Sequence, residues 1–237
     1  MKSQQAKLIV QELKKRKVKV TVLRENNDFI IAQKGGKHTF IKDTMTELCS
    51  TTTFTLANNM HAALVRLKKH GIPVCPYKKV VNIKQALPFL RKHGKIVAKA
   101  VRLLVKNDGV GVLSDLSTQK QLASAISLIR SFATNKRVPV FLQKQLSGDH
   151  CRVLVLDSKK IYVYSSNQKD LIVDKGVFIK AAKAFNLAIV EFECFVTKGS
   201  KSLITEVEVA PDLEKYGKEN INVIKDFVNL IVNRLLK

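Results

Sequence analysis

The stretch from Ala188 to Val209 (AIVEFECFVTKGSKSLITEVEV) constrains the fold more than any other part of the chain. Glutamates alternate with apolar residues on either side of a Lys-Gly-Ser-Lys turn, the pattern of a two-stranded hairpin whose successive side chains point to opposite faces. Glu191 and Glu193 therefore share one face, and so do Glu206 and Glu208. A turn over 198 to 201 sets the register with Glu193 opposite Glu206 and Glu191 opposite Glu208. Like charges directly opposite on a sheet are destabilising, so four carboxylates on one face require compensating cations. Two readings follow. One is a solvated outer face with lysines nearby; the other is a set of oxygen donors for magnesium or manganese, with phosphate oxygens completing the shell.

The rest of the chain mixes helices with mainly antiparallel hairpins, which makes the class α+β. Lys7 to Lys17 has helical spacing, and Val18 to Leu23 alternates as a strand. Asp28 to Ala32 and His38 to Ile41 pair around Gly35-Gly36. Leu56 to Lys69 reads as one helix stopped by His70-Gly71 with Pro73 beyond, and Asn82 to His93 as another closed by Gly94. Lys95 to Ala100 is a strand, Asn107 to Val112 a glycine loop, Thr118 to Ala133 a helix and Val138 to Leu142 a strand. Arg152 to Leu156 and Lys160 to Tyr164 form a hairpin. Helices over Phe178 to Phe185 and Ile221 to Leu236 bracket the glutamate hairpin.

Two further features bear on chemistry. Lys99 is a lone lysine in an otherwise apolar strand, where an ammonium group is costly unless it meets an anion such as phosphate; an outward-facing lysine at a sheet edge is the competing reading. Gly109 and Gly111 let backbone N–H groups come close to phosphate oxygens, although turn glycines serve that pattern equally well. The charge agrees with an anionic partner: 42 Lys and Arg against 19 Asp and Glu give a net charge of +23. From His61 to Val140 sixteen basic residues face only two acids, Asp108 and Asp115, whereas twelve acids follow from Phe141 onward. A solvated basic surface accounts for the same surplus. Cys49, Cys75, Cys151 and Cys194 are scattered without a metal or disulfide spacing and read as buried free thiols. No segment has the apolar length of a membrane span, and the amphipathic start lacks a signal-peptide core, so a cytoplasmic protein is expected.

Taken together, these segments resemble the ATP-grasp superfamily, in particular the ATP-grasp modules of cyanophycin synthetase and bifunctional glutathione synthetase. Leu13 to Phe29 is similar to the opening of the latter. Leu56 to Val74 resembles the helix before the family's G-I-P-V-P turn. Ile96 to Ala100 looks like the V-V-K-P strand, with Lys99 as the phosphate-binding lysine, and Asn107 to Val112 (NDGVGV) like the glycine loop, with Gly109 and Gly111. Val140 to Leu156 is similar to the hinge that holds adenine and ribose, which implies nucleotide contacts at Gln143, Lys144, Leu146 and His150. Thr205 to Pro211 (TEVEVAP) matches the metal-binding E-V-N-x-x-P, and Glu193 precedes Glu206 by the family's interval.

The resemblance implies two α+β lobes holding nucleotide between them, a central one over 51–138 and a C-terminal one over 139–237, after a small N-terminal α/β unit over 1–50. It implies an ADP-forming ligase that phosphorylates a carboxylate with ATP and lets an amine displace the phosphate. Lys99 would neutralise the transferred charge, Arg152 would steady the acyl phosphate, and Glu193, Glu206 and Glu208 would hold Mg2+ or Mn2+. A strand residue pairing with Asp157 is the other reading of Arg152. The implied partners are ATP and small carboxylates and amines, among them amino acids or peptides; a homodimer stays open, and nucleic acid would bind only through the basic surface. The chain departs from the family at Met60, where relatives carry a second phosphate-binding lysine. It also departs at Gln143-Lys144 for a Glu-Glu pair, at His150 for the ribose glutamate and at Glu208 for a ligand Asn. A divergent nucleotide- or polyanion-binding module is therefore the alternative function.

Overall fold

The computed structural model describes residues 3–24, 29–100, 112–132, 138–166, 171–197, 201–217 and 222–237. Three antiparallel sheets organise the chain. The first joins β1 (Lys19–Arg24), β2 (Phe29–Lys34) and β3 (Lys37–Lys42) in sequence order. It follows α1 (Gln4–Lys15), which Ser3 caps by accepting from Ala6 N.

The expected helix over Leu56 to Lys69 is two helices, α2 (Thr51–Ala57) and α3 (Met60–Lys69). Asn59 breaks it: its backbone is extended and its Oδ1 accepts from Ala62 N at 3.1 Å, so this side chain starts a new helix instead of continuing the old one. Both helices pack against the C-terminal sheet, in the same apolar cluster as Val153, Phe178 and Phe192.

The central sheet has the order β4-β7-β5-β6. Its strands are β4 (Tyr77–Val80), β5 (Ile96–Ala100), β6 (Val112–Leu116) and β7 (Val140–Lys144). One face is covered by α4 (Ile83–His93) and α5 (Gln119–Ser131), which bury Phe89, Leu90, Leu122 and Ile126 on Ala98, Val140 and Leu142. Gly94 ends α4 at φ 72°, a conformation open to glycine. A reciprocal Thr118 and Gln121 capping box opens α5. Although β7 begins just past the expected boundary at 138/139, it hydrogen-bonds within this central sheet, between β4 and β5.

The third sheet runs β11-β10-β8-β9, built from β8 (Asp149–Leu156), β9 (Lys160–Tyr164), β10 (Ile189–Thr197) and β11 (Lys201–Glu208). On one face α6 (Lys175–Phe185) packs Phe178 against Phe192. The short α7 (Glu214–Gly217) and the closing α8 (Asn222–Leu235) pack on the other, where Leu154, Leu156, Phe227 and Ile231 share a core with Ile9 and Leu13 of α1. The N-terminal unit thus joins the C-terminal lobe. All four cysteines are free. No helix among the described residues is long and apolar enough to cross a membrane.

Candidate nucleotide site between the lobes

The register expected for the glutamate hairpin is the one observed: Glu193 lies opposite Glu206 and Glu191 opposite Glu208. A bulge follows at once, since Cys194 pairs with Ile204, so Thr205 is the extra residue. Its hydroxyl donates to Glu193 O at 3.2 Å. The carboxylate face is not solvated: Glu191 is fully buried, and the Glu193 side chain is 17% exposed.

The compensating cations come from both lobes. On the central sheet the odd-numbered residues Val97, Lys99, Phe141 and Gln143 share the face opposite α4 and α5. Lys99 lies on β5 between β7 and β6, so it is an interior lysine, 9% exposed, and its Nζ is ion-paired and hydrogen-bonded to Glu206 Oε1. Gln143, also buried, donates from Nε2 to Thr205 O at 2.9 Å and ties β7 to the bulge. Arg152 is next to Glu193 in register; its Nη1 donates to Glu191 Oε1 at 2.7 Å and its Nη2 pairs with Glu193 Oε1. Asp157, the alternative partner of Arg152, pairs with Arg234 at 2.8 Å instead.

Sequence reasoning missed Tyr216 on α7, whose buried hydroxyl donates to Glu191 Oε2 at 2.8 Å. Its one-turn helix has no periodicity to read. Burial pushes the Glu191 carboxyl above the usual range, and the Tyr216 and Arg152 hydrogen bonds offset this only in part. For Glu193 burial also works upward, but His150 and the Arg152 charge outweigh it, and its pKa is lowered. Burial opposes the Arg152 charge; Glu193 and Glu191 overcome that and raise its pKa.

A cavity of about 350 Å³ opens between the lobes, and Lys99, Gln143, Lys144, Leu146, His150 and Glu193 line it together with Val97, Ser114, Gln145 and Phe195. Gly148 makes the close approach of the 145–150 segment to β10 possible. Its φ is 138°, and a Cβ there would lie 2.4 Å from Val196 O, so a larger residue would push the 145–150 segment off β10. His150 Nε2 lies 3.8 Å from Glu193 Oε2. Arg152 and Glu206 stand behind the lining, paired with Glu193 and Lys99; Glu208, opposite Glu191, accepts from Ala210 N at its Oε1 at 2.8 Å, and Met60 starts α3 and packs against the apolar core of the C-terminal lobe. Gly109 and Gly111 lie outside the described residues. Among the described residues no three His, Cys, Asp or Glu side chains gather as a metal cluster.

Two lobes with antiparallel sheets facing each other across a cavity, with a strand lysine on one and a glutamate hairpin on the other, are the ATP-grasp fold. Solved structures agree. A RiPP-associated ATP-grasp ligase from Chryseobacterium gregarium, in complex with ADP and a leader and core peptide, is similar over 98% of this chain and 94% of its own, with TM-score 0.68 and 11% identity. A bifunctional glutathione synthetase from Pasteurella multocida is similar over 98% of this chain and 43% of its own, with TM-score 0.63 and 12% identity. The D-alanine-D-alanine ligase from Coxiella burnetii matches 78% of this chain and 60% of its own at TM-score 0.60 and 16% identity, so the chain spans less than two thirds of that enzyme. No family model and no curated protein matches the sequence.

Proposed function

We propose that the chain is an ATP-dependent carboxylate-amine ligase that phosphorylates a carboxylate, releases ADP and joins the acyl group to an amine. The observation that carries this reading is the interlobe cavity, where Lys99 of one lobe and Glu193 of the other line the same space. Lys99 and Lys144 give the cavity a cationic wall for a triphosphate, with the His150 ring beside them as a hydrogen-bonding group, and Val97, Leu146 and Phe195 give it an apolar wall for a base. Lys99 would carry charge for the transferred phosphoryl group. Arg152, held by Glu191 and through it by Tyr216, would hold the acyl phosphate in place for the amine. The peptide-bound neighbour supports an amino acid or peptide as substrate.

Glu193 and Glu206 fit a magnesium site, since one or two hard carboxylates plus nucleotide phosphates suffice for that ion. When bound, magnesium would screen the triphosphate and polarise the phosphoryl oxygens. Glu208 contributes less, because its Oε1 is engaged by Ala210 N. One observation favours the alternative of a divergent binder: the carboxylates are already paired with Lys99 and Arg152, and ATP must compete for those cations. Phosphate release from ATP across a panel of amino acids and short peptides decides between the two. ADP formation that depends on one acid and one amine supports the ligase. Nucleotide binding without turnover supports the binder, and AMP formation contradicts the chemistry proposed.

A further inference from the structure

A second cavity, about 820 Å³, lies beside the outer strand β4 of the central sheet and shares no lining residue with the nucleotide site. The chain segment Ile72 to Lys78 forms one wall, and Pro88, Phe89, Lys92 and His93 of α4 form the other, with Lys68 at the end of α3. Its floor is apolar: Ile72 is 3% exposed, Cys75 fully buried and Phe89 8% exposed. Its rim is cationic, with Lys68, Lys78 and Lys92 and no acidic side chain in the lining.

The groove also borders a free backbone edge. In the central sheet β4 is an outer strand, paired only with β7. Lys144 N donates to Pro76 O at 2.9 Å, which sets the phase of the pairing. Lys78 and Val80 then turn their backbone groups toward β7, and Tyr77 and Lys79 turn theirs outward. Among the described residues no hydrogen bond reaches those outward groups. Such an edge accepts an added strand.

We propose that this groove binds an extended acidic segment of a polypeptide, which pairs with Tyr77 and Lys79 through its backbone, sets apolar side chains on Ile72 and Phe89, and directs carboxylates to Lys68, Lys78 and Lys92. Charge selects this occupant. The stretch from His61 to Val140 carries sixteen basic residues and two acids, so an acidic chain is attracted to the groove. A second copy pairing through the same edge would bring Lys78 and Lys79 against Lys78 and Lys79, which a sheet does not favour. The site is separate from the nucleotide cavity and does not depend on the ligase reading.

The test is fluorescence anisotropy at low salt with a labelled peptide of alternating Glu and Val, against a control of alternating Lys and Val. Two variants accompany the wild type. Lys68→Glu/Lys92→Glu reverses two exposed charges that make no ion pair among the described residues. Lys79→Pro removes an outward N–H and none of the ladder to β7. The acidic peptide should bind saturably, the control should not, and each variant should bind about ten-fold more weakly while still folded at the assay temperature. Absence of saturable binding, or undiminished binding in both variants, overturns the proposal. So does a homodimer that Lys79→Pro abolishes, since the edge then belongs to a second copy. If Lys79→Pro melts early, the charge-reversed variant alone decides. An ATP titration of the same samples, expected to be unaltered, separates failure here from failure of the nucleotide site.

Discussion

Lys99 and Glu206 join the two lobes: an ammonium group on an interior strand of the central sheet is ion-paired with a carboxylate of the C-terminal hairpin. Both side chains are under one quarter exposed, so neither charge can turn fully to water when the other is removed. Lys99→Met should therefore lower stability by about 1–3 kcal/mol and weaken ATP binding as well. Lys99→Met/Glu206→Gln should recover most of the stability and none of the affinity. Denaturation curves and calorimetry on both variants check this; equal loss of stability in the two would mean that Glu206 bears no cost when left unpaired.

Tyr216→Phe removes the hydroxyl that satisfies Glu191 Oε2 and leaves a buried carboxylate oxygen without its donor. The expected cost is about 1–3 kcal/mol, a large effect for the loss of one oxygen atom. Turnover should fall with it, because Arg152 is held through Glu191. A drop in melting temperature with unchanged kcat would limit Tyr216 to stability.

Acid should destabilise the protein through Glu193. A carboxylate with a lowered folded pKa contributes stability that is fully present above its unfolded value, near 4.5, and lost as pH falls through the folded one. Glu12, held down by its hydrogen bond from Arg16, adds to the same limb. Glu191 has the opposite sign: burial raises its pKa, so its protonation favours the fold as pH falls. In urea denaturation from neutral to about pH 3, Glu193→Gln should flatten the decline and Glu191→Gln should steepen it. Parallel profiles for all three proteins would count against these assignments.

Met60 packs on the apolar core at the first position of α3, where a positive charge also meets the unfavourable end of the helix dipole. Met60→Lys should lower stability by about 1–2 kcal/mol and leave ATP affinity unchanged. A gain in affinity would mean that this helix end reaches the triphosphate.

The glutamate hairpin was fully legible in the sequence because strand alternation and one turn fix its register, and that register alone brings Glu193 and Glu206 together. Helix stops at Gly71 and Gly94 were legible for a similar reason, since each is a local backbone requirement. The break at Asn58-Asn59 was not. Leu56, Met60, Ala63, Leu64 and Leu67 keep helical spacing across it, and the interruption rests on one side-chain hydrogen bond. Strand β7 was recognised as a strand, but its sheet could not be read, because its partners on β4 and β5 lie forty or more residues earlier in the chain. The partners of the carboxylates divide in the same way: Lys99 stood out as a polar residue in an apolar run, whereas Tyr216 reaches Glu191 only through tertiary packing.

The shared core of α1 and α8 has a consequence for how the chain is made. Arg16 Nε donates to Asn229 Oδ1 at 2.9 Å across 213 positions of sequence, and Ile9 and Leu13 are fully buried in the cluster that holds Phe227 and Ile231. During synthesis α1 therefore keeps part of its apolar side uncovered, beyond what Val18, Ile30 and Ile41 of its own unit reach, until the residues of α8 have left the ribosome. A nascent chain stalled before Asn222 would present that greasy helix to chaperones, and the central lobe, whose core of Phe89, Ile126 and Val140 is complete by residue 144, would be the first part able to fold without help.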